Sequence, residues 1–222
     1  MSSISKNLLS VKNTLPGNVC LVAVSKLHPQ EELVEAYSSG QRVFGESRVQ
    51  ELLQKQHNLP KDIEWHFIGH LQTNKVKDIV PFVSLIHGVD SIKLLQAIDK
   101  EAYKANRKVS CLLQVHIAQE DTKFGFSAEE LKHLLNNGIH QLSSVSICGL
   151  MGMATFTDNE AQVRSEFRSL KTLYDELKKA YFVEQEPFNT LSMGMSNDYK
   201  IAIEEGSTMV RVGSLIFGER KY

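Results

Sequence analysis

Apolar positions in this chain fall into short unbroken runs that alternate with longer stretches of helical spacing, and the alternation recurs about eight times. Val19-Cys-Leu-Val-Ala-Val-Ser25 is too short for a helix and lacks polar alternation, as expected of a strand buried on both faces. Ahead of it, residues 1–15 (MSSISKNLLSVKNTL) have an amphipathic helical pattern that Pro16 and Gly17 interrupt. Behind it, Pro29 opens a helix that runs to about Ser39 and stops at Gly40. The rhythm then repeats. Arg42–Phe44 reads as a short strand ending in Gly45, and Glu46–Gln56 as a helix through Val49, Leu52 and Leu53. Glu64–Ile68 is a third strand closed by Gly69, with a helix from about Thr73 to Ile79.

Val83–His87 is the fourth strand, and Ser91 caps a helix with Leu94, Leu95, Ile98 and Ala102 on one side. Val109–Ile117 is the fifth. A loop with Lys123 and Gly125 leads to Ser127, and Glu130 three residues on completes a capping box. Val145–Met151 forms the sixth strand, and Asn159 to about Ala180 a long helix with Val163, Phe167, Leu170, Leu173, Tyr174 and Leu177 inward. In Thr190–Gly218, Leu191, Met193 and Met195 are spaced for a buried strand. A helix Asp198–Glu205 follows, then a strand with Met209, Val210 and Val212, then a last helical piece. Both turns of this stretch offer small residues, Gly194 with Ser196 and Gly213 with Ser214. Their N–H groups and hydroxyls could surround a phosphate where helix N-termini supply partial positive charge.

Eight strand–helix units joined by short connections, with no Pro/Gly/Ser-rich linker, predict a single closed parallel (β/α)8 barrel of the TIM type. It would form one domain over residues 1–222, with an extra N-terminal helix. An open doubly wound sheet is the rival, but the first turn lacks GxGxxG and no GxxxxGK[ST] occurs.

Composition narrows the function without naming it. With 42% hydrophobic and 23% charged residues, the 222-residue chain can bury one large core. A formal net charge of −1 and no long basic run exclude nucleic acid and anionic membrane surfaces as expected partners. Cys20, Cys111 and Cys148 are odd in number, far apart and set in apolar runs, so they read as buried thiols of a reducing, cytoplasmic protein. Nowhere do about eighteen apolar residues run together, and the N-terminus lacks an apolar signal region.

In a parallel barrel the C-terminal strand ends share one mouth, which would bring together Lys26, Glu46, Ser47, His70, Met151, Ser192, Ser196, Arg211, Gly213 and Ser214. A lysine flanked by an apolar strand loses solvation of its charged form, and the free amine is a nucleophile for an aldehyde. A phosphate cradle opposite would hold a phosphorylated aldehyde. Arg211, always charged, could only donate a hydrogen bond to the ring between them. These are the parts of a pyridoxal 5'-phosphate (PLP) site. Arg211 could instead pair with Glu46. His66 and His70 have metal-like spacing, but on a strand and turn their rings do not meet, so structural roles are expected.

AVSKLHP, FGESRVQEL, EWHFIGHLQTNK, GLMGMAT and LSMGMSNDYKIAIEEGSTMVRVGSLIFGER together resemble the pyridoxal phosphate homeostasis protein family, which is similar to the barrel domain of bacterial alanine racemase. The resemblance runs from about Val19 to Arg220. It implies that Lys26 holds PLP as an internal aldimine, that Ser192, Ser196, Gly213 and Ser214 bind the phosphate, and that Arg211 faces the pyridine nitrogen. Ser47 stands where the family usually has asparagine. It further implies a carrier role in vitamin B6 homeostasis, with PLP-dependent apo-enzymes as recipients and little or no turnover. Racemisation needs a base on each face of a planar carbanion, and Lys26 serves one face only. The second domain that gives alanine racemase its other base has no counterpart here, so a monomer is expected. A weak PLP-dependent racemase is the alternative, and an aldolase-type barrel a more distant one.

Overall fold

A strand that is apolar on both faces must cover both, and a sheet closed on itself does so without leaving an edge. The computed structural model describes residues 2–119, 124–137, 142–183 and 187–219, and in it eight parallel strands close in chain order. They are β1 (Cys20–Val24), β2 (Val43–Glu46), β3 (Glu64–Phe67), β4 (Leu85–Val89), β5 (Val109–Val115), β6 (Val145–Gly152), β7 (Thr190–Met195) and β8 (Met209–Val212). The seam joins β8 to β1, with Cys20 opposite Met209 and Ala23 opposite Val212. The fold is therefore the (β/α)8 barrel expected from the sequence.

α1 (Ser3–Lys12) precedes the barrel and packs on α9 (Ser214–Phe217), where Asn7 donates to the Ile216 carbonyl at 3.2 Å. Between strands lie α2 (Gln30–Ser38), α3 (Val49–Asn58), a 3-10 turn Thr73–Lys75 running into α4 (Val76–Ile79), and α5 (Ile92–Lys104). α6 (Ala128–Asn137), α7 (Glu160–Tyr181) and α8 (Tyr199–Glu204) follow. Ser127 and Glu130 form the expected capping box, each backbone N–H bonded to the other's side chain. All six apolar residues named for the long helix are buried on α7. Lys123, Arg220 and Tyr222 lie outside the described residues.

Alternation along the strands makes two cores. Ala23, Phe44, Trp65, Phe67, Ile86, Leu113, Leu191, Met193 and Val210 face the helices in the larger one. Val22, Leu85, Leu112, Met151 and Met209 fill the barrel interior. Fully burying side chains of this size contributes about 1.5–3 kcal/mol each, so the outer layer carries most of the stability.

Three expectations need correction. Glu46 ends β2 instead of starting a helix, because its backbone pairs with Phe67 of β3, and α3 begins at Val49. β4 runs Leu85–Val89, two residues later than Val83–His87. Met195, expected in a buried strand, is 38% exposed. The cause is an irregularity in β7–β8 pairing, where Ser192 opposes Met209 but Met195 opposes Arg211, so an extra residue lifts the strand end out of the layer. Cys20 and Cys148 are half-buried and only Cys111 is fully buried, all three free.

Candidate functional site

Two turns meet at the seam of the barrel. After β8, Gly213 leads into α9, whose first N–H groups have no acceptor within the helix. The Gly213 N–H donates to the Ser196 hydroxyl at 3.2 Å, which ties the turn after β7 to the turn after β8. A Cβ on Gly213 would fall 2.9 Å from the Val24 carbonyl oxygen, so only glycine lets this turn lie against the end of β1. Gly194 is constrained likewise: its φ is +96° and a Cβ would meet Ala202 at 2.5 Å, so α8 folds back tightly beneath Ser196. Ser196 is half-buried and Ser214 exposed. Hydroxyls and backbone N–H groups are the donor types that an anion takes.

Lys26 follows β1 two residues after Val24 and is half-buried. It lies in the turn that follows the strand, while Ser25 faces the helix layer through its bonds to Glu46 and Lys55. Behind the wall, Ser25 donates from Oγ to Glu46 Oε1 at 2.6 Å, and its carbonyl accepts from Lys55 Nζ at 2.7 Å. Lys55 is buried and also holds Glu46 and Glu51, each at 2.7 Å. Leu27 has φ +66°, a left-handed conformation that costs a side-chain-bearing residue about 1–2 kcal/mol. Its N–H donates to Glu51 Oε1 at 2.6 Å, and a bond to a charged acceptor is worth about 1.5–3 kcal/mol, enough to hold the turn. Burial pushes the Glu46 carboxyl up, against the pull of Lys55 and Ser25. Its Oε2 is the buried side-chain oxygen without a hydrogen-bond partner among the described residues.

Arg211 enters the barrel from β8 and is nearly inaccessible. Burial lowers its pKa to about 10, so it remains a cation at neutral pH. NH1 donates to the Ser192 carbonyl at 2.9 Å and hydroxyl at 2.7 Å, and NH2 to the Gly152 carbonyl at 3.1 Å. Ser192 Oγ lies 3.1 Å from His87 Nδ1, and His87 Nε2 lies 3.0 Å from His66 Nδ1. Because guanidinium can only donate, Ser192 accepts from Arg211 and donates its O–H to His87 Nδ1, and His87 donates from Nε2 to His66 Nδ1. Both histidines are neutral in this chain of bonds. Burial holds His66 at about 4 and His87 well below its ordinary value.

A pH dependence follows. Unfolded histidine takes up its proton near pH 6.5, whereas folded His66 resists until about pH 4, so the stabilisation is complete above pH 6.5 and lost as pH falls toward 4. For His66 alone the span corresponds to about 3 kcal/mol. The melting temperature should fall over that window, and His66→Gln, which keeps an acceptor for His87, should flatten the slope. An unchanged slope in the variant would show that other groups carry it.

Of the expected site residues, Ser196, Gly213 and Ser214 come together, with Lys26 and Arg211 on the neighbouring β1 and β8. Ser192 is fully buried, and its hydroxyl is bonded to Arg211 and His87. Leu191 and Met193 occupy the helix-facing core, so the residue between them must point inward. Glu46 pairs with Lys55, not Arg211. His70 Nδ1 sits 2.9 Å from Asp90 and its ring stacks on Phe124 at 4.6 Å, apart from His66. Tyr199 is buried and its hydroxyl lies 3.0 Å from Thr14, near α1. Lys55 and Glu51 went unnoticed in the sequence; their i,i+4 spacing was visible, but nothing in the pattern distinguished a buried pair from a solvated one. A cavity of about 340 Å3 at the other end of the strands is lined by Glu64 and His66 together with Ser84, Ser110, Asn189 and Thr190, and Glu64 there disfavours an anion.

Residues 1–221 match the family model described as alanine racemase, N-terminal domain. A relative from Aquifex aeolicus, named pyridoxal phosphate homeostasis protein, is 46% identical over 203 residues, covering 91% of this chain and 87% of the relative. One of the same name from Bos taurus is 40% identical over 213 residues, covering 91% and 77%. Among solved structures, PipY of Synechococcus elongatus PCC7942 with PLP bound superposes with a TM-score of 0.88 at 38% identity, covering 97% of this chain and 100% of that one. Alanine racemase of Clostridium difficile 630 shares the fold, with a TM-score of 0.76 at 16% identity over 99% of this chain and 56% of its own.

Proposed function

The chain belongs to the pyridoxal phosphate homeostasis proteins, within the alanine racemase N-terminal domain family, and from that premise we propose that it binds PLP and serves intracellular vitamin B6 homeostasis. Lys26 is the point of attachment, as a Schiff base to the cofactor aldehyde. Ser196, Gly213 and Ser214 hold the phosphate, and Arg211 faces the pyridine nitrogen with Ser192 holding it in place. The observation that carries this function is the contact of the Gly213 turn with the end of β1, where a Cβ would strike the Val24 carbonyl. It joins an anion cradle to the strand whose following turn carries Lys26. The donor set fits the group, since a phosphate needs N–H and hydroxyl donors and an aldehyde needs an amine. When bound, PLP supplies an electron sink for amino-acid chemistry.

The chain's own residues limit that chemistry. Arg211 at the ring nitrogen disfavours its protonation and so weakens the sink. Lys26 is one base, and Tyr199 is engaged with Thr14. The protein is therefore a cytoplasmic carrier that acts as a monomer, one domain over residues 1–222, with PLP-dependent apo-enzymes as recipients. A weak amino-acid racemase is the second function, favoured by His70, which is half-exposed and oriented by Asp90.

NMR of L-alanine and D-alanine in heavy water separates the two. With one base, a proton removed by Lys26 returns to the face it left, so α-deuterium incorporation should outpace formation of the other enantiomer. Racemisation at roughly 1 per second or faster, lost in His70→Ala, would establish the enzyme and refute the carrier.

A further inference from the structure

Both neighbours of Lys26 are fastened to one buried charge cluster that never reaches the barrel mouth. On the N-terminal side, Ser25 gives its hydroxyl to Glu46 and its carbonyl to Lys55. On the C-terminal side, the Leu27 N–H is held by Glu51 in a left-handed conformation. Lys55 Nζ lies 2.7 Å from both carboxylates and unites them across β2 and α3. Two carboxylates this close repel one another unless a cation lies between them, and burial removes the water that would screen them. Without the ammonium, Glu51 has no fixed place from which to hold Leu27, and that turn relaxes toward ordinary backbone angles. Relaxation there alters the backbone next to Lys26 and with it the direction of that side chain.

We propose that Lys55, acting through Glu46 and Glu51, is a positioning residue that aims Lys26 at the anion cradle, so that capture of a phosphorylated aldehyde depends on a cation that never touches it. The inference rests on the PLP-binding function above and adds to it a residue on the far side of the barrel wall. The cradle itself, on β7 and β8, has no direct hydrogen bond to the cluster among those of the described residues.

The test uses Lys55→Met and, in case a lone buried carboxylate pair prevents folding, the double variant Glu46→Gln/Lys55→Met, which removes one charge of each sign together. Three readouts are compared with the parent: amide hydrogen exchange at Leu27, the rate of borohydride-trapped PLP labelling of the Lys26 peptide, and affinity for pyridoxamine 5'-phosphate. The last has no aldehyde and reports the cradle and ring contacts without attachment to Lys26. In a folded variant, Leu27 exchange should quicken and labelling slow by at least about tenfold, the factor that about 1.4 kcal/mol represents. Pyridoxamine phosphate affinity should stay within about twofold. Labelling at the parental rate, or equal loss of labelling and pyridoxamine phosphate binding, overturns the proposal. Leu27 exchange is read without ligand, so a parent that binds no PLP would defeat the proposed function separately, and unaltered Leu27 exchange would defeat the clamp.

Discussion

Borohydride reduction of the PLP-loaded protein is expected to fix the cofactor permanently on the peptide containing Lys26, and Lys26→Ala is expected to abolish the label altogether. The amine that forms the bond must sit at the mouth, reach the interior, and be adjacent to an anion cradle. Lys26 meets these conditions through its place after β1, next to the Gly213 turn across the seam. Lys55 is nearby but cannot substitute, because its ammonium is buried behind the wall and donates to Ser25, Glu46 and Glu51. Peptide mass spectrometry decides the matter. A label on Lys75 or Lys123 would remove the basis for the whole site.

The second large effect concerns the cradle. Ser196→Ala and Ser214→Ala each delete a hydroxyl donor to a charged acceptor, about 1.5–3 kcal/mol, so PLP affinity should drop roughly tenfold or more for each. Gly213→Ala should be at least as damaging, because its Cβ would lie 2.9 Å from the Val24 oxygen and the turn would have to retreat from β1. Unphosphorylated pyridoxal separates the causes. Its binding should change little in the serine variants if those hydroxyls act on the phosphate, whereas equal losses for both forms would make the serines structural, as the bond from the Gly213 N–H to Ser196 would allow. Ser192→Ala should behave differently, weakening both forms, since that hydroxyl is bonded to Arg211 and His87 inside the barrel.

The barrel itself was legible in the chain because its strands are apolar on both faces and its helices on one, and those two periodicities differ wherever the chain is folded. The two glycine turns were legible for a similar reason: Gly194 and Gly213 occupy places where a side chain would collide, and small residues before a helix mark such turns in any sequence. Lys26 stood out as the charge that ends an apolar run.

What the sequence could not decide was the partner of each buried polar group. Glu46 had equal claim on Arg211 and on any other cation until the closure of β2 on β3 turned it outward onto Lys55. Ser192 and Ser196 looked alike in sequence, yet Ser192 is buried against Arg211 and His87 while Ser196 meets the Gly213 N–H beyond the irregularity in β7. His66 and His87, twenty-one positions apart, became a bonded neutral pair only when β3 and β4 aligned. Periodicity is a local property, carried by bonds along the chain. Hydrogen-bond partners inside a closed sheet depend on register, and register is set by all eight strands at once.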